Sequence, residues 1–390
     1  MDSSTEFGAA GSGTDDVRRL EAIHGSPVEI AIALAGGGAD VASRLLASPG
    51  GSRTVHHLEI PVAPASLHRL VGTEPEKAVS AETARRMADV ALARIRRTCG
   101  DQARPAGIAL TAALATERVR RGAEQAHLCI RTETQARGVY ISFTKGSHSR
   151  EAQERLLADR VLWELAVEAG SHEAPPPDVD GVTIHSSVQL VPSPPASLFS
   201  GEMQWLLVHR DGRMDAGAEP GPVLMPGSFN PFHTGHAGLA AAASTITGQP
   251  VDLELSVSNV DKERLTIPQL RRRLRTVGGR CRVVVTQAPS FLEKAALFPR
   301  RTYVVGYDTA MRIIDPVYYG GADSANVAME SLRASGVRFL VAGRMEGGGF
   351  RTHTDLELSG TCRELFTGIP EVLFREDVSA TAIREGAPDR

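Results

Sequence analysis

The stretch Gly221-Pro-Val-Leu-Met-Pro-Gly-Ser-Phe-Asn-Pro-Phe-His-Thr-Gly-His236, followed by an alanine-rich segment, holds the strongest structural signals of the chain. Its first apolar run predicts a buried strand, its Gly-Ser and Asn-Pro pairs predict a turn, and the alanines predict a helix. A strand that passes through a glycine turn into a helix brings backbone N–H groups and the positive end of a helix dipole together. The stretch therefore predicts a phosphate-binding site.

Two histidines, His233 and His236, stand three residues apart where this helix begins, so both imidazoles can face the same point. No metal site is predicted, because a third ligand and the i, i+4 spacing of H-E-x-x-H are missing. On spacing alone, two ordinary surface histidines remain the alternative. A second segment near the carboxyl end offers Ser379 as a helix cap, Thr381 as a hydroxyl and Arg384 as a planar cation suited to phosphate oxygens.

The two segments resemble the (H/T)-x-G-H and I-S-S-T-x-I-R signatures of the nucleotidylyltransferase superfamily, here His233-Thr-Gly-His236 and Val378-Ser-Ala-Thr-Ala-Ile-Arg384. Ala380 departs from the second signature by replacing a hydroxyl residue. Gly227-Ser-Phe-Asn-Pro231 is most similar to nicotinamide and nicotinate mononucleotide adenylyltransferases. The resemblance implies transfer of a nucleotidyl group, with adenylyl favoured, from ATP or another nucleoside triphosphate to a small phosphorylated acceptor. Mg²⁺ would accompany the triphosphate, and the reaction would belong to NAD synthesis.

Site residues follow from this resemblance and from the ends of predicted strands, where ligands of parallel sheets bind. The attacking phosphate oxygen needs no protein nucleophile, so catalysis rests on positioning and charge neutralisation. The predicted catalytic residues are His233, His236, Lys262 and Arg384. The predicted nucleotide-binding residues are Gly227, Ser228 and Phe229 (through backbone N–H groups), Gly235, Gly306, Asp308, Ser379 and Thr381. The predicted acceptor-binding residues are Asn230, Asn259, Lys294 and Arg344. A basic helix predicted over residues 266–276 is interpreted as a solvated face.

Composition limits the class of protein. At 390 residues the chain is long enough for two or three domains, and 42% hydrophobic residues can form ordinary cores. A formal net charge of −3 argues against a nucleic-acid or membrane surface as partner. Four scattered cysteines without a C-x-x-C pair, and no secretory signal or long apolar run, predict a cytoplasmic protein.

Four segments are predicted along the chain. Residues 1–16 are rich in Gly, Ser, Asp and Thr and are predicted to be disordered. Residues 17–172 form a first α/β domain, and residues 173–218 form a proline-rich linker with short β segments. Residues 219–390 alternate strand and helix, which predicts a Rossmann-like, doubly wound parallel sheet.

The first domain resembles the C-terminal domain of the competence/damage-inducible protein CinA, a family that includes nicotinamide mononucleotide deamidases. Gly37-Gly38 after the first strand, Val79-Ser-Ala-Glu-Thr-Ala84 and Leu110-Thr111 carry the likeness. The family's E-S-C-T-G-G serine aligns with Leu34, and its lysine falls at or near Leu67. Aliphatic side chains cannot act as nucleophile or oxyanion donor. We therefore expect a catalytically inactive relative that serves in assembly, regulation or ligand binding, with a homo-oligomer formed through this domain.

Three alternatives stay open at this point. A different transferase on the same fold would use CTP or another phosphate acceptor, although no R-Y-V-D element is visible. A regulator would bind nucleotides without turnover, which Ala380 favours and the histidine pair opposes. A bifunctional deamidase and adenylyltransferase of NAD synthesis would suit the pairing of domains, but Leu34 opposes its first step.

Overall fold

The computed structural model describes residues 12–117, 121–258, 263–346, 349–358 and 360–375. The chain divides into two units, Met1–Ser193 (unit 1) and Pro194–Arg390 (unit 2). The predicted α/β class is confirmed, because each unit is built on a largely parallel or mixed sheet with helices packed on it. None of the helices in the described residues is both long enough and apolar enough to cross a bilayer.

Unit 1 carries one six-stranded sheet in the order β2-β1-β3-β4-β5-β6. Strands β2, β1 and β3 are parallel, and the remaining neighbours are antiparallel. The elements are α1 (Ser12–Gly25), β1 (Val28–Ala35), α2 (Ala39–Ala47), α3 (Gly51–Thr54), β2 (Val55–Glu59), α4 (Pro64–Val71), α5 (Ala81–Ile95), β3 (Arg104–Ala113), β4 (Glu124–Arg131), β5 (Gln135–Phe143), α6 (Arg150–Glu168) and β6 (Val182–Leu190).

Helices cover both faces of this sheet. The strands β1 and β3 are apolar along most of their length because they are buried on both sides. Helices α1, α2 and α6 close the larger core, and α4 and α5 cover the other face. Gly107 on β3 is required by this packing, since a side chain there would collide with the α5 backbone at Ala88 and Leu92. Ser80 caps α5 as predicted, accepting from the Thr83 N–H at 3.1 Å.

Unit 2 carries an eight-stranded sheet in the order β16-β13-β12-β9-β10-β11-β7-β8, with a separate hairpin β14-β15. Its elements are α7 (Pro194–Ser200), β7 (Trp205–Val208), β8 (Met214–Ala216), β9 (Val223–Pro226), α8 (Thr234–Thr247), β10 (Val251–Ser256), α9 (Ile267–Val277), β11 (Val283–Thr286), α10 (Phe291–Leu297), β12 (Thr302–Gly306), α11 (Tyr307–Ile314), α12 (Ala322–Ala334), β13 (Arg338–Ala342), β14 (Arg344–Glu346), β15 (Gly349–Arg351) and β16 (Phe366–Ile369).

The parallel part of this sheet is doubly wound. From β9 the chain steps outward through β10 to β11, then returns to β12 on the other side of β9 and continues through β13 to β16. The direction of winding therefore reverses between β9 and β12. In open parallel sheets, ligands bind beyond the carboxyl ends of the strands at such a reversal. The topology thus marks the crevice above β9 and β12.

Two predicted boundaries are wrong. Residues 12–16, assigned to a disordered tail, begin helix α1, while residues 1–11 lie outside the described part. Residues 173–218 are not a linker. Their first strand, β6, completes the sheet of unit 1, whereas α7, β7 and β8 belong to unit 2. Prolines in this segment mark the junctions between elements, and pairing with distant strands determines which unit each strand joins.

Candidate active site

The turn that follows β9 is fixed from the interior of unit 2. The Gly227 N–H donates to the carbonyl oxygen of Glu254 at 3.0 Å, which ties the turn to β10. Phe229, only 1% exposed, fills the space beneath, and a Cβ at position 227 would lie 2.6 Å from its ring. Phe229 also holds a φ of 43°, a conformation that costs energy in any residue except glycine. The following Asn230–Pro231 peptide is cis.

This geometry corrects one predicted contact. The N–H of Gly227 is engaged within the sheet, so it is not available as the phosphate donor that the sequence predicted. The side chains of Ser228 and Asn230 are partly exposed at the turn, where a ligand can reach them. Gly235 is buried in the first turn of α8.

Helix α9 holds the turn from outside, which sequence analysis missed. Arg273 donates from Nη1 to the Ser228 carbonyl oxygen at 3.0 Å, and Thr276 Oγ1 accepts from the Phe232 N–H at 3.0 Å. The interpretation of this helix as a solvated face is wrong for Arg273. The available signal was the spacing, because Arg273, Thr276 and the buried Val277 lie on adjoining positions of an amphipathic helix.

The two histidines are brought together as predicted. His233 is the N-cap of α8 and is 9% exposed, and its ring centroid lies 3.8 Å from that of His236. The backbone N–H of His233 donates to His236 Nδ1 at 3.3 Å. Because Nδ1 accepts, a neutral His236 carries its proton on Nε2. Phe229 and Phe232 flank the His236 ring, at 5.0 and 5.5 Å between centroids.

The environment keeps His236 uncharged. Burial, together with the smaller effect of the nearby charge of His233, lowers the pKa of His236 from 6.5 to about 4. At neutral pH the ring is therefore a neutral hydrogen-bond donor through Nε2. It does not serve as a positive charge or as a general acid of ordinary strength.

A second group of predicted residues lies at the end of β12. The parallel register pairs Thr302 with Val223 and Tyr303 with Leu224, so the carboxyl ends of β9 and β12 lie at the same edge of the sheet. Gly306 is the N-cap of α11, and Asp308 lies in its first turn. Arg344, which follows β13, forms an exposed ion pair with Asp308 through Nη1 and Oδ2. The predicted nucleotide and acceptor residues Asp308 and Arg344 thus meet.

The environment of Lys294 differs from the one expected of a residue that binds the acceptor substrate. It is 5% exposed and donates from Nζ to Glu254 Oε1 at 2.9 Å and to the Ala288 carbonyl oxygen at 2.7 Å. The Thr286 hydroxyl donates to the same carboxylate oxygen at 2.6 Å. The charge of Lys294 is used to neutralise a buried acid within the fold, so an acceptor-binding role is not supported.

Five predicted site residues lie outside the described part of the chain, and their roles stay predictions. They comprise the residues after β10 and the carboxyl-terminal signature, namely Asn259, Lys262, Ser379, Thr381 and Arg384. Within the described residues, no group of three or more His, Cys, Asp or Glu side chains is arranged to hold a metal ion.

Unit 1 has its own cavity of about 560 Å³ at the carboxyl ends of β1 and β3. Leu67 and Ala112 line it, together with a wall of proline, alanine and valine side chains, and its titratable side chains are His68 and Glu74. Leu34, which the sequence resemblance aligns with the CinA-family serine, is 1% exposed and packs in the larger core. Hydroxyl, thiol and amine side chains are absent from the described residues that line the cavity.

Comparison with known proteins gives structural neighbours only. No protein-family model and no curated protein match the chain. A CinA superfamily protein from Enterobacter cloacae aligns at 18% identity and a TM-score of 0.33, covering 43% of this chain and 99% of that one. The competence/damage-inducible protein CihA from Agrobacterium tumefaciens aligns at 18% identity and a TM-score of 0.31, covering 40% of this chain and 96% of that one. The competence damage-inducible protein ComA from Klebsiella pneumoniae aligns at 14% identity and a TM-score of 0.32, covering 41% of this chain and 96% of that one. These neighbours are CinA-like proteins, and they leave the nucleotidylyltransferase resemblance of the other half a prediction.

Proposed function

We propose that unit 2 transfers a nucleotidyl group, with adenylyl favoured, from a nucleoside triphosphate to a phosphate-bearing acceptor such as nicotinamide or nicotinate mononucleotide. The observation that carries this proposal is the position of the His233–His236 pair. The pair begins α8, directly after β9, at the point where the winding of the sheet reverses. A helix start at that position is suited to phosphate, because the N-terminal N–H groups and the helix dipole both attract anions.

The proposed reaction is an in-line displacement. An acceptor phosphate oxygen attacks the α-phosphorus, a new P–O bond forms, and the bond to the β-phosphate oxygen breaks as pyrophosphate leaves with the electron pair. The attacking oxygen is already an anion, so no general base is needed. Mg²⁺ would enter with the triphosphate, held mainly by phosphate and water oxygens.

His236 fits a donor role in this reaction. Its neutral ring can donate from Nε2 to a phosphate oxygen as charge develops there, and it needs no change of protonation state between pH 6 and 8. Arg344 offers further N–H groups beside Asp308, where they can meet an acceptor phosphate. The predicted contributions of Lys262, Ser379, Thr381 and Arg384 complete the proposal from the sequence.

The test is pyrophosphate release from ATP, CTP and GTP against a panel of phosphate monoesters that includes both mononucleotides. We expect ATP to be used and His236→Ala to lower turnover by about 100-fold or more, as loss of a transition-state donor does. His209→Ala is the matched control, because His209 pairs with Asp215 at 2.6 Å near the β7–β8 turn. Unchanged pyrophosphate release in His236→Ala, with His209→Ala also active, would remove the proposed role.

For unit 1 we infer ligand binding without deamidation. The cavity at the ends of β1 and β3 supports binding, and its lining of aliphatic and proline side chains supplies no hydroxyl or amine for acyl transfer among the described residues. The bifunctional deamidase alternative would require ammonia release from nicotinamide mononucleotide.

A further inference from the structure

The outer edge of the unit 1 sheet is unusually bare. Strand β6 pairs with β5 along its whole length, from Val182 opposite Phe143 to Leu190 opposite Gln135, without a bulge. Every residue after Val182 is exposed. Edge strands are normally protected by charged residues, prolines or bulges, since their free backbone groups invite another strand. The sequence Val-Thr-Ile-His-Ser-Ser-Val-Gln-Leu has no proline and no Lys, Arg, Asp or Glu.

The backbone of β6 offers a regular row of hydrogen-bonding groups. At the two ends of the strand, the Val191 N–H donates to the Thr134 carbonyl oxygen and the Thr144 N–H donates to that of Gly181, so odd-numbered residues bond to β5. The even-numbered residues therefore point their N–H and C=O groups outward. In the part of the chain that the structure describes, no hydrogen bond reaches these outward groups at Ile184, Ser186, Val188 or Leu190.

Apart from Ser186, the same even-numbered residues carry apolar side chains on one face. Val182 packs against the core, and Ile184, Val188 and Leu190 are 39, 55 and 81% exposed. Ser186 marks this face as the α6 side, because its hydroxyl accepts from Arg160 Nη2 at 3.0 Å. Uncovered apolar side chains beside free backbone groups are the composition of a strand-pairing interface.

We propose that a second copy of this chain pairs with β6 edge to edge, antiparallel, about a two-fold axis through Ser186. This register sets Ile184 opposite the partner's Val188 and Val182 opposite the partner's Leu190. On the other face, Thr183 meets the partner's Gln189. Each residue thus lies opposite one of the same polarity, which is the self-complementarity that a two-fold interface requires.

The register is selected by the side chains. A shift of the pairing by two residues in one direction would place Ile184 opposite the partner's Ser186. A shift by two residues in the other direction would place Val188 opposite the partner's Ser186. Either shift leaves an apolar residue against a hydroxyl. The centred register joins the two six-stranded sheets into one continuous sheet, and it is independent of the transferase activity proposed for unit 2.

The test is the mass of the full chain by sedimentation and native mass spectrometry over a hundredfold dilution series. We expect twice the 41.5 kDa of one chain at the concentrated end. Val188→Lys should give the single-chain mass, because a charge would face the partner's Ile184. Ser186→Pro should do the same by removing an outward N–H at the two-fold axis. Val327→Lys, 67% exposed on α12, is the matched control and should remain dimeric.

Hydrogen exchange provides a readout that a folding defect would not imitate. In the wild type we expect slow exchange at the outward amides of Ile184, Ser186 and Val188, and in Val188→Lys fast exchange at all three of these positions. The inward amides of His185 and Ser187 should stay protected in both proteins. A single-chain mass at every concentration of the dilution series overturns the proposal, even if the outward amides of β6 exchange slowly. A dimer that survives both β6 variants overturns it as well, since the interface would then lie elsewhere.

Discussion

His236 shows how a helix start can keep an imidazole neutral. Its Nδ1 accepts the His233 N–H, and two phenylalanine rings exclude water from its sides. A protonated ring would lose the hydrogen bond at Nδ1 and would face a second histidine 3.8 Å away. The neutral form is therefore favoured by the fold itself, and the same arrangement leaves Nε2–H as the group that a ligand can meet.

This neutrality predicts how unit 2 responds to acid. The pKa of His236 is about 4 in the folded chain and 6.5 in the unfolded chain, so between these values the unfolded state binds the proton more tightly. The stabilisation is fully present above pH 6.5 and is lost as the pH falls towards 4. The expected loss is about 3 kcal/mol, at about 1.4 kcal/mol per pKa unit. His236→Asn, which cannot be protonated there, should flatten this part of the profile.

The measurement is urea unfolding at a series of pH values from 4 to 7, monitored by tryptophan fluorescence. The chain has two tryptophans, so a Trp163→Phe background leaves Trp205, which lies edge-on to Phe298 in unit 2, as the reporter. This choice separates His236 from unit 1 histidines whose pKa is also lowered by burial, namely His24, His57 and His127. Equal slopes for the wild type and His236→Asn would show that His236 is not the group that titrates.

At the level of elements, α9 holds the shape of the turn that follows β9. Arg273 and Thr276 bond to the turn at its two ends, and Phe229 fills the space inside it. The turn contains a residue with positive φ, a conformation that persists only where surrounding contacts hold it. Helix α9 thus holds the turn from the outside, and the packing of Phe229 in the core holds it from the inside.

Removal of one contact from α9 should disturb the site more than the fold. We expect Arg273→Ala to lower kcat/KM about 10-fold to 100-fold by loosening the turn, while the free energy of unfolding falls by only about 1–2 kcal/mol. Arg272→Ala, on the exposed side of the same helix, is the matched control. Steady-state pyrophosphate release and urea unfolding measure the two effects. An Arg273→Ala enzyme as active as Arg272→Ala would show that the turn holds its shape without this hydrogen bond.

The success of the sequence predictions depended on whether the signal was local. The strand, turn and helix around Gly227 were predicted because each leaves a composition signal within a few residues. The predicted helix over residues 266–276 is α9, but the contact of Arg273 with Ser228 joins residues 45 positions apart and has no local signal. The same reason explains β6, whose pairing with β5 is a tertiary contact hidden in a proline-rich segment. Burial of Lys294 against Glu254 likewise depends on the packing of α10 on the sheet.

At the scale of the whole chain, the two units have separate sheets and separate candidate sites. Unit 1 places a cavity above β1 and β3, and unit 2 places the histidine pair above β9 and β12. The transfer reaction proposed for unit 2 and the ligand binding proposed for unit 1 are therefore separable by mutation. Each site lies within one unit, so loss of one should leave the other unaffected.

This separation gives a test of the whole chain with nicotinamide mononucleotide and ATP. We expect pyrophosphate release without ammonia release, because Leu34 is buried in the core, Leu67 lines the cavity, and neither can attack or activate an amide. His236→Asn should abolish most of the pyrophosphate signal and leave ammonia at background. Ammonia release of equal size in the wild type and in His236→Asn would place a working deamidase in unit 1. That result would replace the inactive assignment with a shifted site, for which His68 and Glu74 are the titratable side chains lining the cavity.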